Sequence, residues 1–156
     1  GRPVSAADIY RVFFHGPAYQ VLDEVRIHDE GASGSFRADL PASLANSDYS
    51  LVFSPRLLEL CLQTAGVYEL GSTGRMALPA AIERIVAHAV PAESASLRAE
   101  VRPHQDASGL SFDARVCDGE GRVYLEVAGY RTSALPDGLP EELVRPLRAA
   151  VTEGRA

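Results

Sequence analysis

Between Ser54 and Gly66 the chain reads Ser-Pro-Arg-Leu-Leu-Glu-Leu-Cys-Leu-Gln-Thr-Ala-Gly, and this stretch restricts the fold more than any other. Positions 57, 58, 60, 61, 62 and 65 are all apolar, so a helix here has almost no polar face and has to be buried. Ser54 suits the N-cap and Pro55 the first helical position, where its missing N–H costs nothing. Phe53 and Leu58 occupy the two positions of a hydrophobic staple. Gly71-Ser72-Thr73-Gly74 supplies a stop. The spacing predicts a helix over 55–70.

Two polar side chains interrupt that apolar surface. Glu59 and Gln63 are four residues apart and project from the same face. A carboxylate in low dielectric is costly without a partner or a function, and a carboxylic acid held there with a raised pKa can act as a general acid. Gly66 continues the same sector. Glycine inside a helix costs about 1 kcal/mol relative to alanine, so it marks close approach of another backbone or of a ligand. Glu59, Gln63 and Gly66 are expected to form the floor of a narrow slot.

The flanking sequence supplies the partners for the helix. Residues 5–14 read as a short helix with Ser5 as N-cap and Asp8 three residues on, ended by His15-Gly16-Pro17. Two extended stretches follow, 19–27 and 34–40, around the turn residues 29–34; 41–53 read as irregular. After Pro79 the pattern alternates: 81–90, 96–102 with Leu97, Ala99 and Val101, and 110–117 with Leu110, Phe112, Ala114 and Val116. Asp118-Gly119 joins the last of these to 122–131, a strong hairpin signal. Residues 134–140 read as a linker, and 141–151 as a short helix with an acidic start and a basic end. The simplest way to bury both elements is an α+β hotdog, an antiparallel sheet wrapped around one long central apolar helix. This places a hotdog domain at 1–134, with a linker and helix at 135–156.

Composition removes several classes of function. A net charge of −6 argues against a nucleic-acid surface, which needs clustered cations. No apolar run approaches a membrane span of about 18–20 residues, and nothing resembles a signal peptide. Cys61 and Cys117 are isolated, which disfavours a disulfide framework and makes a reducing cytoplasm the default. No two of His15, His28, His88 and His104 stand at helical metal-ligand spacing, so no metal site is indicated. His28, His88 and His104 read as surface or packing residues. Gly71-Ser72-Thr73-Gly74-Arg75 lacks the ending of a phosphate loop and follows a helix instead of preceding one. The chain begins Gly-Arg-Pro-Val and its single methionine is Met76, which points to a segment of something longer.

Three stretches carry a family resemblance. The stretch from Tyr10 to Leu22, with His15-Gly16-Pro17-Ala18-Tyr19-Gln20, resembles the Tyr-Gly-Pro-x-Phe-Gln that opens the second half of polyketide synthase dehydratase domains. Pro55-Arg56-Leu57-Leu58-Glu59, ending at Gln63, resembles the Pro-x-Leu-Leu-Asp-x-x-x-Gln of that half's central helix. Leu78-Pro79-Ala80-Ala81-Ile82-Glu83-Arg84-Ile85 is similar to the Leu-Pro-x-x-Ile-x-x-Ile strand that follows. The Phe-His-Gly-Pro-Ala-Tyr-Gln variant, together with Glu59 and the run from Gly74 to Pro79, looks closest to the iterative type that includes enediyne synthases.

The resemblance implies a double hotdog that dehydrates a β-hydroxyacyl chain carried on the phosphopantetheine of an acyl carrier protein, with no cofactor bound by the domain itself. It implies Glu59 as the acid for the departing hydroxyl and Gln63 as its orienting partner. The residues themselves set the His15-Gly16-Pro17-Ala18-Tyr19 turn against the slot, which puts His15, Gly16, Pro17, Tyr19 and Gly66 at the substrate. The sequence departs from the family twice. Glu59 stands where Asp is usual, and none of the four histidines begins the His-x-x-x-Gly-x-x-x-x-Pro motif that supplies the base. The expected partners are the acyl carrier protein, the N-terminal hotdog half and further synthase domains, and self-association through sheet edges is expected of an isolated half. A non-catalytic hotdog that serves as a structural or carrier-docking element, and a hotdog thioesterase, are the competing functions.

Overall fold

The computed structural model describes residues 2–39, 53–92 and 95–155. The expectation of irregular chain at 41–53 therefore lies almost wholly outside the described residues. Strand β1 (Val4–Ser5) leads into helix α1 (Ala6–Tyr10), where the Ser5 hydroxyl accepts the Asp8 N–H as expected of the cap. The helix is shorter than the 5–14 read from the sequence: past Tyr10 the Val12 and Phe13 N–H groups both donate to the Ile9 carbonyl, which closes the helix in a turn. A 3₁₀ turn at Pro17–Tyr19 follows, then β2 (Leu22–His28) and β3 (Gly31–Phe36). Next come α2 (Pro55–Thr73), β4 (Ala77–Ala81), β5 (Arg84–Ala87), β6 (Leu97–Asp106), β7 (Gly109–Asp118), β8 (Val123–Ala134) and α3 (Glu141–Gly154).

The eight strands make one antiparallel sheet in the order β1-β2-β3-β6-β7-β8-β4, with β5 pairing a neighbouring stretch of β8. Their inward residues are the ones that alternation selects: Val25 and Ile27, Leu97, Ala99 and Val101, Phe112, Ala114 and Val116, Leu125 and Val127 are all buried. Helix α2 touches β2, β3, β4, β6, β7 and β8, so the sheet curls around it. The hotdog architecture read from the sequence is the architecture found. Among the described residues, no helix is long and apolar enough to cross a membrane.

Several boundaries differ from expectation: β3 takes in 31–33, read from the sequence as turn, and β6 runs on to Asp106. Helix α2 runs on to Thr73 and is capped by Gly74 in the left-handed conformation at φ 72°. Gly71 is a packing residue instead of a stop: a Cβ there would lie 2.7 Å from the Leu147 carbonyl of α3. The Ser54 side chain makes no capping hydrogen bond. The strand expected over 81–90 is the short β5, and a further strand, β4, precedes it; both lie on the outer edge of β8. Pro79 lies within β4, and an edge strand tolerates proline because its N–H side can face solvent. Between the two strands β8 kinks at Gly129, at φ 63°, where the Glu83 side chain folds over the glycine. Asp113 Oδ1 accepts the Gly129 N–H at 2.9 Å and holds the bulge.

Helix α3 is part of the core. Val144, Leu147, Ala150 and Val151 are buried, and α3 touches α1, α2, β1 and β2. At its end Arg155 lies 4.7 Å over the Tyr68 ring of α2 and donates to Tyr68 Oη and Ser72 Oγ.

Candidate active site

Helix α2 brings Glu59 and Gln63 to the floor of a small cleft of about 80 Å³ that opens to solvent. Phe13, Phe14, Leu62, Met76 and Tyr130 form much of its wall, and His15 lies beside the two polar residues. The spacing argument is met: one face of the helix presents a carboxylate and an amide to an otherwise apolar space.

Gln63 is 2% exposed and its amide is fixed by three contacts. Its Oε1 accepts from Tyr10 Oη at 2.9 Å, while Nε2 donates to the Tyr19 carbonyl at 2.8 Å and to Glu59 Oε2 at 2.9 Å. A carbonyl and a carboxylate can only accept, so the amide has one sensible orientation. Tyr10 Oη in turn accepts the Leu22 N–H at 2.8 Å. The amide thus ties α1, the 3₁₀ turn and the start of β2 to the helix that carries Glu59.

Arg56, three residues before Glu59, clamps the same region. Its guanidinium donates to the carbonyls of Ala18, Arg37, Ala38 and Asp39 at 2.8–3.0 Å and lies 5.1 Å over the Phe36 ring. The turn that precedes β2 is therefore held from two positions on α2.

Glu59 is about one-third exposed, and His15 Nε2 stands 3.4 Å from Glu59 Oε2. Gln63 donates to the same oxygen. Oε1 has no hydrogen-bond partner among the described residues and is the oxygen free to meet a ligand. Burial pushes the Glu59 carboxyl upward, but donation from His15 and Gln63 outweighs it and the net direction is down. The expected raised pKa is therefore corrected: the carboxylate keeps its charge because it has two N–H partners.

The His15 ring is sandwiched. It stacks parallel to Phe14 with centroids 5.7 Å apart and is tilted 46° to Phe13 at the same distance. Its Nδ1 is buried, with no hydrogen-bond partner among the described residues. Tyr130 across the cleft is pushed well above the usual phenol range, first by burial and then by the charges of Glu69 and Glu59, so it stays a neutral phenol.

The five residues expected at the substrate divide. His15 and Gly66 line the cleft. Gly66 makes room for a side chain, not a backbone: a Cβ there would stand 3.2 Å from Phe13 Cζ. Gly16 and Pro17 build the turn and do not line the cleft. A Cβ at Gly16 would meet nothing within 4 Å, so no close approach requires that glycine. Tyr19 contributes its carbonyl to Gln63, while its side chain is largely exposed. The residues missed from the sequence are Tyr10, Arg56, Phe13, Phe14 and Tyr130. Arg56 left a signal, as a lone cation on the first turn of an apolar helix.

The other histidines are on the surface. His88 pairs with Glu126 at 2.6 Å and His104 with Asp113 at 3.0 Å, and His28 is exposed. Among the described residues, no group of three or more His, Cys, Asp or Glu side chains could hold a metal ion.

A family model described as the polyketide synthase dehydratase N-terminal domain matches residues 1–142. The chain belongs to the polyketide synthase dehydratase family. The description names the N-terminal domain, whereas the sequence motifs resemble the second half. The fold agrees with solved dehydratase domains. The dehydratase domain of PpsC from Mycobacterium tuberculosis superposes with a TM-score of 0.72 at 20% identity, over 87% of this chain and 52% of that one. A trans-AT polyketide synthase dehydratase domain from Brevibacillus brevis gives 0.70 at 21%, over 86% and 49%. The dehydratase domain of the CurF module of the curacin polyketide synthase gives 0.68 at 21%, over 86% and 49%. The chain spans about half the length of these dehydratase structures. No curated protein matches it.

Proposed function

We propose that this chain is the C-terminal hotdog half of a polyketide synthase dehydratase, of the iterative type that includes enediyne synthases. Its reaction is the removal of water from a β-hydroxyacyl chain on the phosphopantetheine of an acyl carrier protein. The observation that carries this reading is a carboxylate, oriented by a buried amide, at the floor of an apolar cleft. The resemblance to Pro-x-Leu-Leu-Asp-x-x-x-Gln, with Glu59 at the Asp position, and the lack of a His-x-x-x-Gly-x-x-x-x-Pro motif support the second half over the first.

In this reading a histidine of the N-terminal half takes the Cα proton. The Cα–H electron pair becomes the new double bond, the C–O bond at Cβ breaks, and the hydroxyl leaves as water on taking a proton that the Glu59 carboxyl picks up from solvent and passes on. Glu59 Oε1 accepts a hydrogen bond from the substrate hydroxyl, and Gln63 holds the carboxylate at the right distance. Base and acid must flank one acyl chain, and the fixed geometry lowers the barrier by removing freedom of orientation. The apolar walls suit an acyl chain. No cofactor is needed beyond the substrate's own phosphopantetheine, and the setting is the cytoplasm. The exposed Leu78 on β4 and Ile85 on β5 fit the outer sheet edge as the place where the N-terminal half, or a second copy of an isolated half, adds on.

The test is dehydration of a β-hydroxyacyl thioester by the complete double hotdog, wild type beside Glu59→Gln. The variant is expected to lose about 100-fold or more in kcat. Equal rates would make this a structural or carrier-docking hotdog, and thiol release without alkene formation would indicate a thioesterase.

A further inference from the structure

We infer that Tyr130 recognises the substrate's β-hydroxyl: its phenol O–H donates to the hydroxyl oxygen, while the hydroxyl's own hydrogen points to Glu59 Oε1. This inference rests on the dehydratase reading and deepens it.

Strand β8 is built so that Tyr130 faces the cleft. Leu125 and Val127 are buried, so strict alternation would turn Gly129 and Arg131 inward and Tyr130 outward. The register with β7 breaks that phase: Ala114 pairs with Val127 and Phe112 with Tyr130, two steps on β7 against three on β8. The extra residue falls at Gly129, whose φ of 63° suits glycine and whose N–H donates to Asp113 Oδ1 at 2.9 Å. A bulge re-aims the side chains beside it. This one brings Tyr130 inside, to 3% exposure, with its ring 6.0 Å from Phe112 and tilted 38° to it.

Packing accounts for the ring but not for the hydroxyl, which has no hydrogen-bond partner among the described residues. Among those residues the sealed polar side-chain atom without a partner is His15 Nδ1 alone. Tyr130 Oη therefore keeps contact with open space, and the open space at Tyr130 is the cleft. Leaving an enclosed hydroxyl unpaired costs about 1–3 kcal/mol, which a ligand with the right group recovers. Glu59 lines the same small cleft, and its Oε1 is likewise without a partner among the described residues. At neutral pH a phenol keeps its proton and a carboxylate has lost its own, so Tyr130 donates and Oε1 accepts. Their surroundings move both groups further in those directions. A single small group that accepts from one and donates to the other is a hydroxyl. A β-keto oxygen accepts from Tyr130 but brings no hydrogen to Glu59, and the alkene of the product answers neither. As the C–O bond breaks, charge grows on the leaving oxygen and the Tyr130 hydrogen bond strengthens.

The experiment compares two ligands in the complete double hotdog. A β-hydroxyacyl pantetheine thioester is the substrate, and the saturated acyl pantetheine thioester of the same length, which has no hydroxyl, is a competitive inhibitor. Tyr130→Phe keeps the ring and removes only the oxygen. It is expected to lower kcat/KM on the hydroxy substrate by about tenfold or more, while the inhibition constant of the saturated thioester stays within about twofold. Circular dichroism confirms that the variant is folded. An unchanged kcat/KM would show that the phenol makes no contact with substrate. Equal weakening of both ligands would make Tyr130 a packing residue; both outcomes overturn the inference. If Glu59→Gln abolishes turnover while Tyr130→Phe does not slow it, the dehydratase reading stands and this inference falls. If the wild type does not dehydrate the substrate, both fall.

Discussion

Helix α2 carries two carboxylates that share a backbone and differ in everything else. Glu59 is about one-third exposed and its carboxyl is held low. Glu69, ten residues on, is 8% exposed and its carboxyl is raised by burial, with only the Thr132 hydroxyl to offset it. Thr132 Oγ1 lies 2.8 Å from both carboxylate oxygens, but one hydroxyl has one proton to give. Burial acts on both groups in the same direction, so the difference lies in the donors. Glu59 has an amide N–H and an imidazole; Glu69 has a single O–H. A carboxylate on an apolar helix becomes a functional group when the fold aims nitrogen donors at it.

Removing the amide should erase most of that contrast. In Gln63→Leu the Tyr10 hydroxyl and the Tyr19 carbonyl lose their partner in a buried site, at a cost of about 2–3 kcal/mol, and the midpoint of thermal unfolding is expected to fall by about 5–10 °C. A change below 1 °C would show that the amide does not hold α1 and the turn to α2.

A smaller effect of opposite sign is expected at the other carboxylate. Below the ordinary glutamate value, folded and unfolded chains both hold the Glu69 proton and the site costs nothing. As pH rises through the raised folded value, the native chain must ionise a buried carboxyl and loses stability. Glu69→Gln is therefore expected to stabilise the protein by about 1 kcal/mol at pH 8 and to make no difference near pH 4. Urea unfolding at the two pH values measures this directly, and equal effects at both would refute the assignment. Glu59 has the reverse sign. Its contribution is present above the unfolded value and is lost as pH falls through the depressed folded one.

These contrasts also explain what could be read from the residues alone. The start of α2 was legible because Pro55 acts locally, and the inward faces of β6 and β7 because alternation is a local pattern. Gly71 misled because its cause, the Leu147 carbonyl, lies on α3. The division of β4 from β5 depends on Gly129, more than forty residues beyond them. Glu59 and Gln63 were legible as a pair from their spacing. The state of Glu59 was not, since its charge depends on His15, which reaches it only through the turn that Tyr10, Gln63 and Arg56 hold in place. Burial alone predicted a raised carboxyl; the donors reversed the sign.

The central claim is that Glu59 waits in the cleft as a charged carboxylate held by nitrogen donors. Its most direct test is an NMR titration of the side-chain carboxyl carbons of Glu59 and Glu69 in one sample of this chain. The account predicts that Glu59 titrates below the ordinary glutamate value and Glu69 above it. A Glu59 carboxyl that titrates at or above Glu69 would contradict it.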